Sequence, residues 1–259
     1  MKTAVSPTPP SAATDGTNGQ PQGPLKGRAL LNARFEAALA SIWFASQPSA
    51  DTTWTIIGYE AFLRCREPSL ENPRAFLAAA ERLGRQQDLL EHIRASVTQP
   101  VMKARTASLF MNLHPSHFKL ENAKDPCDMF AQNRERIVLE ITQRHPLADD
   151  GDMERFLCDL RRRGYRVAVD DLGSGYSGMG NFEEAGPQYV KLGPDLVREA
   201  GKHWPKQRVI QGVCEMCKDL GISVIAEAVE DQGEFETLKG LGCDLFQGYF
   251  VGRPEPLEL

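Results

Sequence analysis

From Arg28 onward, short apolar runs alternate with stretches whose apolar positions recur at helical spacing. The runs predicted as strands are SIWFAS (41–46), WTIIGYEAFL (54–63), SLFMNL (108–113), RIVLEIT (136–142), RVAVDD (166–171), QYVKL (188–192), SVIAEA (223–228) and DLFQGYF (244–250). Helices are predicted over 29–40, 73–84, 86–104, 150–163, 205–220 and 231–240, with shorter ones near 115–132 and 194–200. The segment ADDGDMERFLCDLRRRGY shows both helix ends: acids in its first turn, arginines in its last, then Gly164. Repeated strand–helix alternation predicts a parallel sheet, and eight strands in one domain fit an α/β fold of the (β/α)8 barrel type. A doubly wound open sheet is the alternative.

The apolar pattern has a second feature. A strand buried in a parallel sheet should read as continuous Val, Ile and Leu. Nearly every predicted strand breaks that rule near its end: Glu60, Asn112, Glu140, Asp170 with Asp171, Lys191, Glu227 and Gln247. One such residue is best read as facing solvent. Seven strands doing the same point to one face, because the C-terminal ends of all barrel strands meet there. The inventory is carboxylates and an amide, without clustered His or Cys, and such hard oxygen donors suit Mg²⁺ or Mn²⁺ better than Zn²⁺. Two divalent cations would also make the adjacent Asp170 and Asp171 tolerable, and a paired-cation site with ions about 4 Å apart is suited to phosphodiester hydrolysis. Lys191 among acids stays protonated and can orient water or counter charge developing on phosphorus.

Composition narrows the picture further. The chain has 259 residues, 41% hydrophobic and 25% charged, which is ordinary for a globular protein. A net charge of -5 gives no electrostatic reason to expect a nucleic-acid polymer or an anionic membrane as partner. Residues 1–27 are rich in Pro, Gly, Ser and Thr and read as a disordered N-terminal tail or linker, leaving 28–259 as the folded domain. No apolar run of roughly 18 residues exists, so no membrane span is predicted, and the N-terminus lacks the apolar core of a signal peptide. Six scattered cysteines read as reduced thiols of a cytoplasmic protein. Cys214 and Cys217 form a C-x-x-C inside a helical pattern rather than at a helix start, so they read as structural.

Other motifs compete less well. Gly173 to Gly178 match G-x-G-x-x-G, yet Asp170 and Asp171 directly before them would repel a pyrophosphate, and no acid ends the next strand. These glycines fit better as a mobile loop over the carboxylates. His114 and His117 flank a proline and read as a surface turn, and Ser177 lacks a nucleophile elbow.

Set side by side, the segments resemble the EAL-domain family of cyclic-di-GMP phosphodiesterases, over roughly Ala29 to Pro254. GYEAFLR is similar to the family signature, with Phe62 in place of its leucine; SQP, FMNLHP, LEIT, VDDLGSGYSG, YVKL, VIAEAVE and GCDLFQGYFVGRP follow in the family's order. The resemblance implies a TIM-like barrel with one antiparallel strand, a homodimer, and hydrolysis of cyclic-di-GMP to linear pGpG with two Mg²⁺ or Mn²⁺ ions. It implies Glu60, Asn112, Glu140, Asp170, Asp171 and Glu227 as metal ligands. Lys191 would position the nucleophilic water, with Glu227 and Gln247 in the same catalytic network. Gln47, Arg64 and Gln247 would contact substrate, and Gly173 and Gly175 would let the loop move.

The chain departs from the family pattern at several positions. Gln143 stands where a loop-anchoring glutamate is usual, and Gly193 where an aspartate is usual. Leu172 for phenylalanine, Ala228 for glycine and Phe62 for leucine read as packing changes. Two functions therefore stand: an active phosphodiesterase, favoured because every inferred ligand and the lysine are present, or a cyclic-di-GMP receptor or protein-interaction module of low turnover, favoured by Gly193 and Gln143.

Overall fold

The computed structural model describes residues 27–103, 107–112, 134–142, 158, 160–172 and 186–257. The strands are β1 (Trp43–Asp51), β2 (Ile56–Arg64), β3 (Ser108–Asn112), β4 (Ile137–Thr142), β5 (Arg166–Leu172), β6 (Tyr189–Leu192), β7 (Ser223–Ala226), β8 (Leu245–Gln247) and the short β9 (Glu255–Pro256). The helices are α1 (Gly27–Leu39), α2 (Pro73–Leu83), α3 (Gln86–Lys103), α4 (Pro194–Val197), α5 (Trp204–Asp219) and α6 (Gln232–Gly240). The elements expected over 115–132, most of 150–163 and the tail before Gly27 lie outside the described residues.

β2 through β8 pair in sequence order, each parallel to the next, and β1 closes the ring by lying antiparallel to both β2 and β8. This is the closed TIM-like barrel with one antiparallel strand; closure excludes the open doubly wound sheet. β1 runs five residues past its expected end at Ser46, straight through Pro48. On its far edge β9 pairs with Ala45 and Ser46, and β8 with Ser49 to Asp51. Gln47 and Pro48 fall in the gap between those two ladders, where a residue without an N–H is tolerated.

Local signals agree with the helices. Asn72 Oδ1 accepts from the Arg74 N–H (2.9 Å), Pro73 follows, and Gly84 ends α2 in the left-handed conformation. Outside the barrel, Phe35, Phe76, Leu83, Leu109 and Leu139 form one buried cluster under α1 and α2. Val190, Leu192, Ile210, Cys217, Phe235 and Leu238 form another under α5 and α6. Cys214 and Cys217 face that second cluster, and burial pushes the Cys217 thiol up to about 12, so it stays protonated. No helix among the described residues is long and apolar enough to cross a membrane.

Inside the barrel, Phe110, Val138, Ala168, Ile225 and Leu245 pack as an apolar layer, with Tyr189 against it. Gly58 makes the room, since a Cβ there would lie 2.7 Å from the Phe110 ring.

Candidate active site

Side chains two residues apart on a strand share a face, about 6.6 Å along it. Two residues beyond Gly58, Phe110, Val138, Ala168, Tyr189, Ile225 and Leu245 stand Glu60, Asn112, Glu140, Asp170, Lys191, Glu227 and Gln247. The polar residues are therefore a second interior layer, stacked on the apolar one at the C-terminal ends of β2 to β8.

Lys191 is its centre. The ammonium is 1% exposed and lies 2.7 Å from a carboxylate oxygen of each of Glu60, Glu140 and Glu227. Gln247 Nε2 donates to Glu60 Oε2 (2.9 Å), and Asn112 Nδ2 donates to Glu60 Oε1 (2.9 Å) and Glu140 Oε2 (3.2 Å). Such burial needs full compensation, because one uncompensated charge costs several kcal/mol. Burial works against the charged lysine, yet Glu140, Glu227 and Glu60 hold it well above the usual lysine range. Burial works against the charged form of Glu60 too, but Lys191 and Gln247 hold its carboxyl below the usual range. One ammonium does not balance the rest. Burial and then Glu60 push Glu140 well up, and burial, with Asp170 and Glu60, pushes Glu227 up to about 7.

The adjacent acids are resolved by backbone geometry. On a regular strand Asp170 and Asp171 would face opposite sides. The β5–β6 register shifts between Val169 and Leu172, and Asp171 adopts φ 63°, which re-aims the second carboxylate. A Cβ on Gly193 would lie 2.5 Å from Asp171 Oδ1, so Asp171 occupies the space that a side chain at 193 would enter. Gly193 thus does more than remove a carboxylate; it admits another. Ala228 takes φ 53°, so its departure from glycine is backbone strain rather than the packing change expected.

The polar layer floors a cleft of about 360 Å³. Glu60, Asp170, Glu227 and Gln247 line its depth, and Phe62, Arg198, Glu230 and Tyr249 line its walls and mouth. Gly248 sets the last wall. With φ 154° it passes so close to Val229 that any Cβ would lie 2.2 Å from that carbonyl, and the Val229 N–H donates to Gln247 O (3.0 Å).

The hard oxygens of this layer are a donor set that suits a divalent cation, and two of the buried ones, Asp170 Oδ1 and Gln247 Oε1, have no hydrogen-bond partner among the described residues. In the same residues no three acidic, His or Cys side chains surround a common point open to a metal ion; Glu60, Glu140 and Glu227 surround Lys191.

The profile of the EAL domain matches residues 29–254. The chain belongs to the EAL domain family. It is 28% identical over 212 residues to the probable cyclic di-GMP phosphodiesterase PdeG of Escherichia coli K12, covering 77% of this chain and 42% of the relative. It is 29% identical over 219 residues to the cyclic di-GMP phosphodiesterase PA2567 of Pseudomonas aeruginosa, covering 80% and 37%. This EAL chain spans less than half the length of either relative. Among solved structures, the PaMucR phosphodiesterase in complex with c-di-GMP superposes with a TM-score of 0.76 at 23% identity, covering 88% of this chain and 98% of that one. A manganese/cyclic-di-GMP complex of BlrP1 from Klebsiella pneumoniae gives 0.69 at 28% identity, covering 83% and 56%.

The EAL fold gathers Glu60, Asn112, Glu140, Lys191, Glu227 and Gln247 into one contact network, with Asp170 in the same cleft. Gln47 lines the cleft while its Nε2 donates to Gly252 O (2.9 Å). Arg64 donates to Leu63 O (3.0 Å) and lies 5.5 Å from the ring centre of Phe62, which lines the cleft. Gln143, Gly173 and Gly175 lie outside the described residues. Sequence reasoning gave no role to Arg198, Glu230 or Tyr249; Arg198 and Tyr249 fall within the helix expected near 194–200 and the strand expected over 244–250, and the structure ends α4 at Val197 and β8 at Gln247, just before them.

Proposed function

We propose that the chain is a cyclic-di-GMP phosphodiesterase, hydrolysing one phosphodiester to give linear pGpG. The observation that carries the reading is the closed polar layer on Lys191 beneath an open cleft. The family match and the relatives' names support the substrate class. Glu60, Asn112, Glu140, Asp170, Asp171 and Glu227 would hold two Mg²⁺ or Mn²⁺ ions, a choice supported by the oxygen donor set and by a manganese complex of a relative. When bound, such ions supply Lewis acidity toward the phosphodiester and a lowered pKa for water.

The chain's own groups do the rest. Lys191 has three protons and three carboxylate partners, so orienting the attacking water requires that one contact open. Glu227, 18% exposed against 8% and 0% for Glu60 and Glu140, is the more exposed of the two partners that line the cleft. Gln247 keeps Glu60 in place during that exchange. The water oxygen bonds to phosphorus, the bond to the ring's leaving ribose oxygen breaks, and the proton the water gives up is balanced by the one that oxygen takes on to become the free hydroxyl. The family resemblance further supports a homodimer and a tail-plus-domain division near residue 28.

A receptor of low turnover is the second reading, favoured by Gly193 and the Asp171 geometry above it. Incubation with cyclic-di-GMP and Mg²⁺ or Mn²⁺, with an EDTA control, tests both. EDTA-sensitive release of pGpG supports hydrolysis; binding without product supports the receptor; the absence of both product and binding overturns the proposal.

A further inference from the structure

Resting on the reading of the cleft as a cyclic-di-GMP site, we infer that Arg198 is the residue that grips the phosphodiester not being hydrolysed. The ligand is a dianion, and the cleft is acidic. Among the described residues lining it, Glu60, Asp170, Glu227 and Glu230 are carboxylates and Arg198 is the one cation. When one phosphodiester lies over the deep carboxylates, the other faces the mouth, where Arg198 is the lining cation among the described residues and Arg253 lies on the Tyr249 ring, 4.4 Å from the ring centre. Arg64, the arginine expected at substrate, donates to Leu63 O and lies against the Phe62 ring of the cleft wall, so the lining itself leaves this contact to Arg198.

The local structure presents Arg198 for this task. Its N–H donates to Pro194 O (2.9 Å) and its carbonyl accepts from Lys206 Nζ (2.8 Å), so the backbone is held on both sides while the side chain projects. The guanidinium rests 3.1 Å from Glu230 Oε1, with the two side chains 60% and 54% exposed. An ion pair that open to water is weak and easily exchanged. A guanidinium forms paired, charge-assisted hydrogen bonds to phosphate oxygens, so a phosphodiester is the stronger partner. Glu230 is itself fixed: its N–H donates to Glu234 Oε2 (2.9 Å), and Asp231 caps α6. Glu230 therefore acts as a resident stand-in for the ligand's anion.

The test is equilibrium binding of cyclic-di-GMP to the full chain in Ca²⁺, at several salt concentrations, for the parent, Arg198→Gln and Glu230→Gln. The expected result is that Arg198→Gln binds at least tenfold more weakly, with a shallower salt dependence and an unchanged melting temperature. Glu230→Gln is expected to bind at least as tightly as the parent. Parent-like affinity in Arg198→Gln, or an equal loss in Glu230→Gln, would overturn the inference and leave an ordinary rim ion pair. Absence of binding by the parent would instead overturn the reading of the cleft.

Discussion

The barrel interior holds two successive layers that obey opposite rules. Phe110, Val138, Ala168, Ile225 and Leu245 need only shape, and Gly58 supplies it by yielding space to the Phe110 ring. One step further along the same strands, Glu60, Glu140, Asp170, Lys191 and Glu227 carry charges that each oppose burial. The first layer lowers free energy by excluding water; the second is held by contacts to Lys191 that leave Asp170 Oδ1 and Gln247 Oε1 without a partner among the described residues. The comparison teaches that the apolar layer stabilises the fold, while the polar layer is a standing cost that function alone explains.

Lys191→Met breaks the contrast most severely. Removing the shared ammonium strands three buried carboxylates, so we expect a stability loss of roughly 3–5 kcal/mol and a fall in pGpG formation of about 10²–10³-fold. Chromatographic assay and thermal denaturation measure the two, and saturating Mn²⁺ should recover more melting temperature in the variant than in the parent. An unchanged melting temperature would show that the carboxylates are not held by Lys191.

Phe110→Ala attacks the other layer. It should cost about 3–5 kcal/mol in denaturant unfolding while leaving turnover per folded molecule within a few-fold of the parent. A turnover loss matching that of Lys191→Met would show that the layers are not separable.

Acidity sharpens the comparison. Glu227 is raised to about 7 in the folded chain, so between the ordinary glutamate pKa and about 7 the native state binds the extra proton. Without added cations, the Glu227 contribution to stability should therefore fall as pH rises through that window, and the raised Glu140 acts in the same direction. A divalent cation favours the ionised carboxylates, so its thermal stabilisation should grow over the same range. Melting curves from pH 5 to pH 8, with and without Mg²⁺, decide this; a cation effect that shrinks with rising pH would refute it.

The smallest effect is Ala228→Gly. Relieving φ 53° should raise stability by about 1 kcal/mol, read as a higher denaturation midpoint. No change would mean that the surrounding turn bears no strain.

Much of this was legible in the sequence, for a physical reason. Strand runs such as RIVLEIT and RVAVDD end in acids that no lipid-like interior would accept alone, so the polar layer announced itself. The ends of strands were less legible. The strand expected to end at Ser46 continues through Pro48, because the gap between β8 and β9 that tolerates a proline exists only in the assembled sheet. SVIAEA and DLFQGYF overran because Ala228 and Gly248 turn the chain with positive φ after the last paired residue. That one strand runs antiparallel came from the family resemblance, since periodicity carries no direction; the structure identifies it as β1. Arg198 and Glu230 escaped notice because a loop residue gains its meaning from what it faces.

The left-handed Asp171 has one more implication. Every other member of the polar layer obeys a two-beat rhythm along its strand, so the layer has a reading frame. Inserting or deleting one residue in a strand would turn its contribution outward, whereas exchanging residues in place preserves the frame. Asp171 breaks the rhythm without a frameshift, by a single backbone twist over Gly193. Such a barrel can therefore diversify its chemistry by substitution at fixed beats, and it can add a group off the beat only where a neighbouring strand leaves a rest.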